Sequence, residues 1–310
     1  MLDTGKTDTE KLAWANSKHD ELPSEVAEVL RSLDPSSLSV DQGSTFVFLA
    51  NHVLGEKLSM WDEALKQQVR ALQHPDATPG WLRQAAAAAL AAGNDEMLDR
   101  YTSAYAIACG APDAPARTVI RLTTTMYQAS GLTATAAANA TTDAMALLDH
   151  PFWRSPSKLD SSVAVCLNNL AGAIKDRPSP DLETPSLRAA VTRCAELAHA
   201  FWKRAGTWVN VERALYLRAT VATALRDFES TRRFCADAFA VLDANDQDVT
   251  QPVDRAFLEL ELSHASKRLG LHEESAAAYT RAEKLAATFK DAGLNQWFDS
   301  RRTWLAGQAG

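Results

Sequence analysis

Glycine and proline are scarce in this sequence, at 13 and 12 of 310 residues. A β-sandwich or β-barrel needs many tight turns, and these two residues are the usual choice for them. Alanine, which has the highest intrinsic helix propensity, is abundant instead. The composition therefore disfavours an all-β fold and predicts a protein built from helices.

Long apolar runs and paired cysteines are also missing. No run reaches the roughly 18 apolar residues that a membrane helix needs, and residues 1–6 lack the apolar core of a signal peptide. The four cysteines (Cys109, Cys166, Cys194 and Cys235) form no Cys-x-x-Cys pair and lie among apolar residues. We expect a cytoplasmic protein with reduced thiols and no membrane partner.

Positive charge is nowhere concentrated. The net charge is −7, and residues 1–40 carry eight acids against four bases, which accounts for −4 of it. Without a basic stripe to neutralise phosphates, nucleic acid is not an expected partner. Residues 1–40 are interpreted as an acidic helical extension that caps the first helical unit; a docking arm or an autoinhibitory tail is the alternative.

Signatures of catalysis and of metal binding are lacking as well. There is no phosphate-binding Gly-rich loop, no Gly-x-Ser-x-Gly, no His-Glu-x-x-His and no paired-cysteine zinc pattern. The seven histidines are scattered, and a structural role is favoured over a metal-binding or catalytic one for His52 and His264. The sequence thus predicts no catalytic residue, no metal site and no cofactor.

What the sequence does contain is an internal repeat. Gly55, Gly93 and Gly131 recur every 38 residues, each between two helical segments, and residues 224–241 align with residues 268–285 at an offset of 44. A fixed period of this size is typical of helical-repeat proteins. Glycine suits the turn between two helices, because the residue that ends a helix often adopts a left-handed conformation. The predicted hairpins lie near residues 44–73, 81–109, 116–149, 158–204, 209–243 and 252–288, with a closing helix near 295–306.

The last two hairpins resemble tetratricopeptide repeats (TPRs). In the final one the motif reads Gly270, His272, Ser275, Tyr279, Ala282 and Leu285, and in the one before it Arg226 stands in place of the glycine. The segment Leu-Asn-Asn-Leu-Ala at residues 167–171 is similar to that of kinesin-light-chain-type repeats. The resemblance implies an all-α fold, a right-handed α-solenoid of about six TPR-like hairpins over residues 41–310.

The resemblance also implies a binding site, because in this family the first helix of each hairpin faces a concave groove. On that basis Asn168 would bind a peptide backbone, Tyr216 would stack on the ligand or close a pocket, and lysine and arginine side chains would bind carboxylates. The implied groove residues are Asn168, Asn169, Lys175, Arg213, Tyr216, Thr220, His264, Lys267 and Arg268. Alternatively, the bases pair with nearby acids such as Glu259 and Glu261.

These observations predict a non-enzymatic, protein–protein interaction adaptor or scaffold that holds an acidic protein or peptide segment in its groove. One alternative is an enzyme or small-ligand-binding protein whose solenoid encloses a pocket. A further alternative is a peptide-sensing regulator, which the lack of a recognisable helix-turn-helix disfavours.

Overall fold

The structure is a computed structural model that describes residues 7–246 and 250–307, and these residues form helices and turns without a strand. Local sequence explains where several helices begin. Thr7 and Glu10 form a capping box at the first helix, with the backbone N–H of Thr7 donating to the Glu10 carboxylate at 2.8 Å. Ser39 and Gln42 do the same at the third helix. Each box satisfies backbone N–H groups that have no partner within the helix.

The α-helices follow one another with short connections. Their bounds are α1 Asp8–Lys18, α2 Pro23–Ser32, α3 Val40–Leu49, α4 Trp61–Ala71, α5 Pro79–Ala91, α6 Asp95–Cys109, α7 Asp113–Gln128, α8 Ala134–Ala146, α9 Asp160–Lys175, α10 Ser179–Leu182, α11 Pro185–Ala205, α12 Trp208–Ala224, α13 Phe228–Asn245, α14 Pro252–Arg268, α15 His272–Ala286 and α16 Ala292–Gly307. None of the described helices is both long and apolar enough to span a membrane.

The chain divides into two compact units, Met1–Cys166 (unit 1) and Leu167–Gly310 (unit 2). The boundary predicted near residue 40 falls inside unit 1. There, Leu12 of α1 and Val29 of α2 belong to the same buried core as Phe46 of α3 and Trp81 of α5. The N-terminal helices therefore pack directly on the helices that follow them.

Unit 1 is joined across its helices by a buried polar network. The Asn51 amide donates to the Gln84 side chain at 2.8 Å, Gln68 donates to Asn51 at 2.9 Å, and the Tyr127 hydroxyl donates to Gln84 at 3.1 Å. Asn51, Gln68 and Tyr127 are almost fully buried. Since a buried amide without a partner costs free energy, this network favours one arrangement of the helices that carry it.

The regular glycine spacing in unit 1 has more than one structural cause. Gly93 has a φ of 69° and ends its helix in the left-handed conformation, as expected. For Gly55 that expectation is wrong, because Gly55 lies inside a π-helical segment, Ala50–Lys57, which continues α3. A Cβ on Gly55 would lie 2.3 Å from the Trp61 ring. Glycine is required here by the close approach of an indole ring.

Unit 2 repeats its contacts along the chain. Helix α12 packs against α11 and α13, and α14 packs against α13, α15, α12 and α16. Partner residues are about 40 positions apart: Arg213 with Asp254, Thr223 with Glu261, and Glu261 with Arg301 have separations of 41, 38 and 40. The closing helix α16 thus packs against α14 as α14 packs against α12. The expected all-α helical-repeat fold is confirmed, and α16 occupies the position of a first helix in this repeat pattern.

The two turns that align at an offset of 44 share an unusual backbone conformation. Gly270 has a φ of 78°, and Arg226, which takes the place of glycine in the preceding hairpin, has a φ of 60°. A residue with a Cβ is strained by about 1–2 kcal/mol in this region, whereas glycine is not. The helical turn therefore imposes the same conformation whether or not the sequence supplies glycine.

Replacing Arg226 with glycine should consequently stabilise the protein by up to about 1 kcal/mol, because relief of strain exceeds the extra backbone entropy of glycine. The matched change, Gly270→Ala, should destabilise it by about 1 kcal/mol. Urea unfolding of both variants checks the pair. Equal signs for the two changes would contradict the shared left-handed turn.

Candidate functional site

The predicted groove residues all belong to unit 2 and lie on α9, α12 and α14, but they do not converge on one point. Asn168 is half-buried and Asn169 exposed on α9. Lys175, Lys267 and Arg268 are all in the last turn of their helices. Cations stabilise this end of a helix through its dipole, so these three bases also have a structural reason to be there.

Arg213, unlike the other three bases, does not lie in the last turn of its helix. It is close to the start of α12, and its guanidinium contacts the Asp254 carboxylate at 3.2 Å in the first turn of α14. The Arg213 side chain is 59% exposed. Asp254 precedes Arg268 by 14 residues on α14, which corresponds to about 21 Å along the helix at 1.5 Å per residue. Arg213 and Arg268 therefore lie near opposite ends of the neighbouring helices α12 and α14.

Thr220 and His264 are both buried. The Thr220 hydroxyl donates to the Leu217 carbonyl at 2.9 Å, within its own helix. The His264 ring packs edge-on against Phe228, with 5.6 Å between centroids, and burial lowers the pKa of His264 below its usual value. A neutral imidazole against an aromatic ring fits a packing role.

Tyr216 packs its ring edge-on against Phe257 of α14, at 6.3 Å between centroids. Burial, reinforced by the nearby Glu261 carboxylate, raises the pKa of Tyr216 well above its usual value. The hydroxyl therefore stays protonated over the physiological range and can act as a hydrogen-bond donor.

Glu212 precedes Tyr216 by one helical turn and was not predicted from the sequence. Its side chain is fully buried, and among the described residues neither carboxylate oxygen has a hydrogen-bond partner. Burial raises the pKa of Glu212 to about 8, and the Asp254 carboxylate adds to the shift. Glu212 is therefore largely protonated at neutral pH, because the charges of Arg213 and Arg255, which lower its pKa, do not offset the effect of burial.

A second buried carboxylate, Glu261, lies at the centre of a polar row that crosses three helices. Its Oε2 accepts a hydrogen bond from the Thr223 hydroxyl at 2.8 Å, and its Oε1 accepts one from Arg301 Nε at 2.6 Å. Glu261 has no exposed side-chain surface, and Arg301 is 13% exposed. Arg301 also lies over the Trp304 ring, 4.3 Å from its centroid.

The acids that were candidates to neutralise the groove bases are held by other arginines. Glu259 makes two hydrogen bonds with Arg281, at 2.6 and 2.8 Å, and Glu261 binds Arg301. Lys175 and Arg213 pair instead with Asp176 and Asp254. The alternative of pairing with nearby acids is therefore met at Lys175 and Arg213, but the acids are not Glu259 and Glu261.

Two clefts of unit 2 lie elsewhere. One, of about 110 Å³, is bordered by Glu196, Arg218 and Phe234, and the other, of about 370 Å³, by Arg232, Phe239 and Glu274. None of the nine predicted residues lines either cleft. The smaller cleft is below the roughly 300–1,000 Å³ usual for small-molecule sites.

Side chains suited to metal binding come together in unit 1. Among residues 7–246 and 250–307, one group of three ligand-type side chains has ligand atoms all within 4.8 Å of each other, and it consists of His19, Asp20 and His52. The sequence spacing gave no sign of this group, because His52 is far along the chain from the other two.

Comparisons with known proteins do not assign the chain to a family. No protein-family model matches the sequence, and no curated protein shows significant similarity to it. Among solved structures, the chain is similar to the crystal structure of BtubC (BKLC) from P. vanneervenii, with a TM-score of 0.46 and 16% identity over 91% of this chain and 92% of that one. This similarity is too low to support an inference about function. From its own helices and contacts, the chain is an all-α helical-repeat protein.

Proposed function

We propose that the protein is a non-enzymatic interaction module that binds an extended, acidic peptide segment along the α12–α14 surface of unit 2. The observation that carries this proposal is the distribution of charge on these helices. Arg213 at one end and Lys267 at the other are exposed, whereas the carboxylates between them, Glu259 and Glu261, are already bound by arginines.

Protonation of Glu212 supports the same ligand class. With a pKa of about 8, Glu212 carries little negative charge at neutral pH, so it does not repel an acidic segment that approaches Arg213. Asp254 is the competing acid, and a peptide carboxylate would share Arg213 with it. Charge-assisted hydrogen bonds to such a guanidinium contribute about 1.5–3 kcal/mol each.

The separation of the cations sets the length of the ligand. About 21 Å along α14 corresponds to about six residues of extended chain at 3.3–3.6 Å per residue. We therefore expect two acidic residues, five to seven positions apart, in the bound segment. Tyr216 lies on α12, and Asn168 and Asn169 lie on α9; these three side chains would supply neutral hydrogen bonds to its backbone.

A selection from a phage-displayed library of random 12-residue peptides on the full-length protein tests the proposal. We expect selected peptides to carry paired Asp or Glu residues at that spacing. The double change Arg213→Glu with Arg268→Glu should weaken their binding more than tenfold, and Arg302→Glu, on the exposed surface of α16, should leave it within a factor of two.

Retention of binding by the double variant, or selection of peptides without acidic residues, would show that this surface is not the site. Circular dichroism of each variant controls for loss of helix. Replacement of both peptide acids by their amides provides the reciprocal control on the ligand side.

A further inference from the structure

The turn after α1 brings two residues of unit 1 close to the π-helical segment Ala50–Lys57. His19 and Asp20 follow the last residue of α1, and His52 lies in the first turn of the π-helical segment. The two imidazole rings are 5.1 Å apart between centroids, and Phe48 stacks on His52 at 5.3 Å. A pair of histidines and a carboxylate thus share one partly exposed surface site.

Hydrogen bonds determine which nitrogen of each ring faces the carboxylate. Nδ1 of His19 is 2.7 Å from the Asn16 carbonyl oxygen, which can only accept, so Nδ1 carries the proton. Nδ1 of His52 is 2.6 Å from the Glu56 carboxylate and donates to it. In both neutral rings the lone pair is consequently on Nε2.

Both Nε2 atoms face Asp20. Nε2 of His19 is 3.5 Å from Asp20 Oδ2, and Nε2 of His52 is 3.6 Å from Asp20 Oδ1. The His52 Nε2 atom is shielded from solvent and has no hydrogen-bond partner among the described residues. A distance of 3.6 Å is too long for a hydrogen bond.

The two distances end on different oxygens of Asp20, and each is close to the spacing of ligand atoms around a common metal ion. With Zn–N and Zn–O bonds of about 2.0–2.1 Å in a tetrahedron, two ligand atoms lie about 3.4 Å apart. Histidines that bind zinc usually donate their other N–H to a carboxylate or a backbone carbonyl. Glu56 and the Asn16 carbonyl occupy these two positions here.

We propose that His19, Asp20 and His52 form a binding site for a Zn²⁺-class ion, with Glu56 as the positioning residue for His52. Three protein ligands leave a fourth coordination position open to water or to an outside ligand. The bound ion would also tie the turn after α1 to the π-helical segment, and would therefore stabilise the folded state of unit 1.

Lys57 competes with a metal ion for the Asp20 carboxylate. Its ammonium contacts Asp20 Oδ1 at 2.7 Å and neutralises this carboxylate in the absence of a metal. A metal ion must share Asp20 with this cation or displace it. Removing the positive charge at residue 57 should therefore increase metal affinity, which would not follow if the cluster had only a structural role.

Calorimetric titration of the EDTA-treated full-length protein with Zn²⁺ at pH 7.5 tests the site, in a Cys109→Ser background that removes the half-exposed thiol. We expect one Zn²⁺ per chain and a rise of several degrees in melting temperature. Co²⁺ used as a probe should show the visible absorption of a four-coordinate ion. Mg²⁺ should not compete, because it prefers oxygen ligands.

Four variants separate the roles. His52→Gln and Asp20→Asn should each weaken Zn²⁺ binding at least tenfold, Glu56→Gln should weaken it about tenfold to 100-fold, and Lys57→Met should strengthen it several-fold. His272→Gln, at an exposed histidine of unit 2, is the control and should change nothing.

Zn²⁺ affinity that is unchanged in His52→Gln, or no binding by either the Cys109→Ser protein or Lys57→Met, would overturn the proposal. If His52→Gln fails to fold, Lys57→Met decides, because its affinity must rise. A fall or no change in that variant would equally contradict the site.

Discussion

Replacing Arg301 with methionine is expected to destabilise the protein by about 3–5 kcal/mol, because it leaves the Glu261 carboxylate buried without its cation. Glu261 has no exposed side-chain surface and receives its two hydrogen bonds from Arg301 and Thr223. Methionine conserves much of the length and apolar volume of the arginine stem. The loss should therefore come from the unpaired charge and not from a cavity.

The neighbouring residue provides a matched control. Arg302 also forms two ion pairs, with Glu283 at 2.9 Å and Asp299 at 2.7 Å, but its side chain is 39% exposed. Exposed ion pairs contribute about 0–1 kcal/mol, so Arg302→Met should have little effect. Thermal and urea unfolding measure both variants, and similar losses for the two would contradict the assignment of Glu261 and Arg301 as a buried pair.

A double variant isolates the charge. Adding Glu261→Gln to Arg301→Met removes the buried carboxylate charge, and part of the lost stability should return. No recovery in the double variant would show that Arg301 acts through its packing on Trp304 instead.

Replacing Glu212 with glutamine should change how stability depends on pH. The folded-state pKa of Glu212 is about 8, raised by burial from its usual value of 4.5. Between these two values the folded state retains a proton that the unfolded state has lost. Stability of the native protein therefore falls as pH rises through this window, by up to about 1.4 kcal/mol per pH unit.

Glutamine removes this pH dependence of stability, because its side chain does not ionise. We expect Glu212→Gln to match the native protein near pH 5 and to exceed it by several kcal/mol at pH 8, above which the difference should level off. Urea unfolding at pH 5, 6.5 and 8 measures the effect. Glu229→Gln, at an exposed glutamate of α13, should give a curve parallel to that of the native protein.

Parallel curves for Glu212→Gln and the native protein would mean that Glu212 is ionised in the folded state. The result also bears on the proposed peptide-binding surface, because a charged Glu212 would oppose an acidic ligand near Arg213. Affinity for the selected acidic peptides should accordingly decrease above pH 8 in the native protein and less so in the variant.

Much of the fold could be predicted, because helix formation and repeat spacing depend on residues that are close together in the sequence. The hairpins of unit 2 correspond to α12–α13 and α14–α15, and the conspicuous turn at Gly270 has the expected left-handed conformation. The Leu-Asn-Asn-Leu-Ala resemblance at residues 167–171 and the groove roles of Asn168 and Asn169 stay predictions.

Less of the site could be predicted. The nine groove residues were chosen by helical position, which places side chains around a helix but says little about what the next helix contributes. Thus Arg213 meets Asp254 from α14, and Glu261 is bound by Arg301 of α16, about 40 residues away in each case. Contacts at such a separation depend on how successive repeats pack.

By itself, the sequence determined that this protein is helical, that its helices recur at a regular spacing, and that it carries no long apolar run. These properties are set by residues that are close together in the chain. Tertiary packing decided which charges are buried, which arginine holds each carboxylate, and that His52 faces His19 and Asp20. Burial and interatomic distance depend on residues far apart in the chain, and the pKa of Glu212 and the geometry of the histidine cluster follow from them.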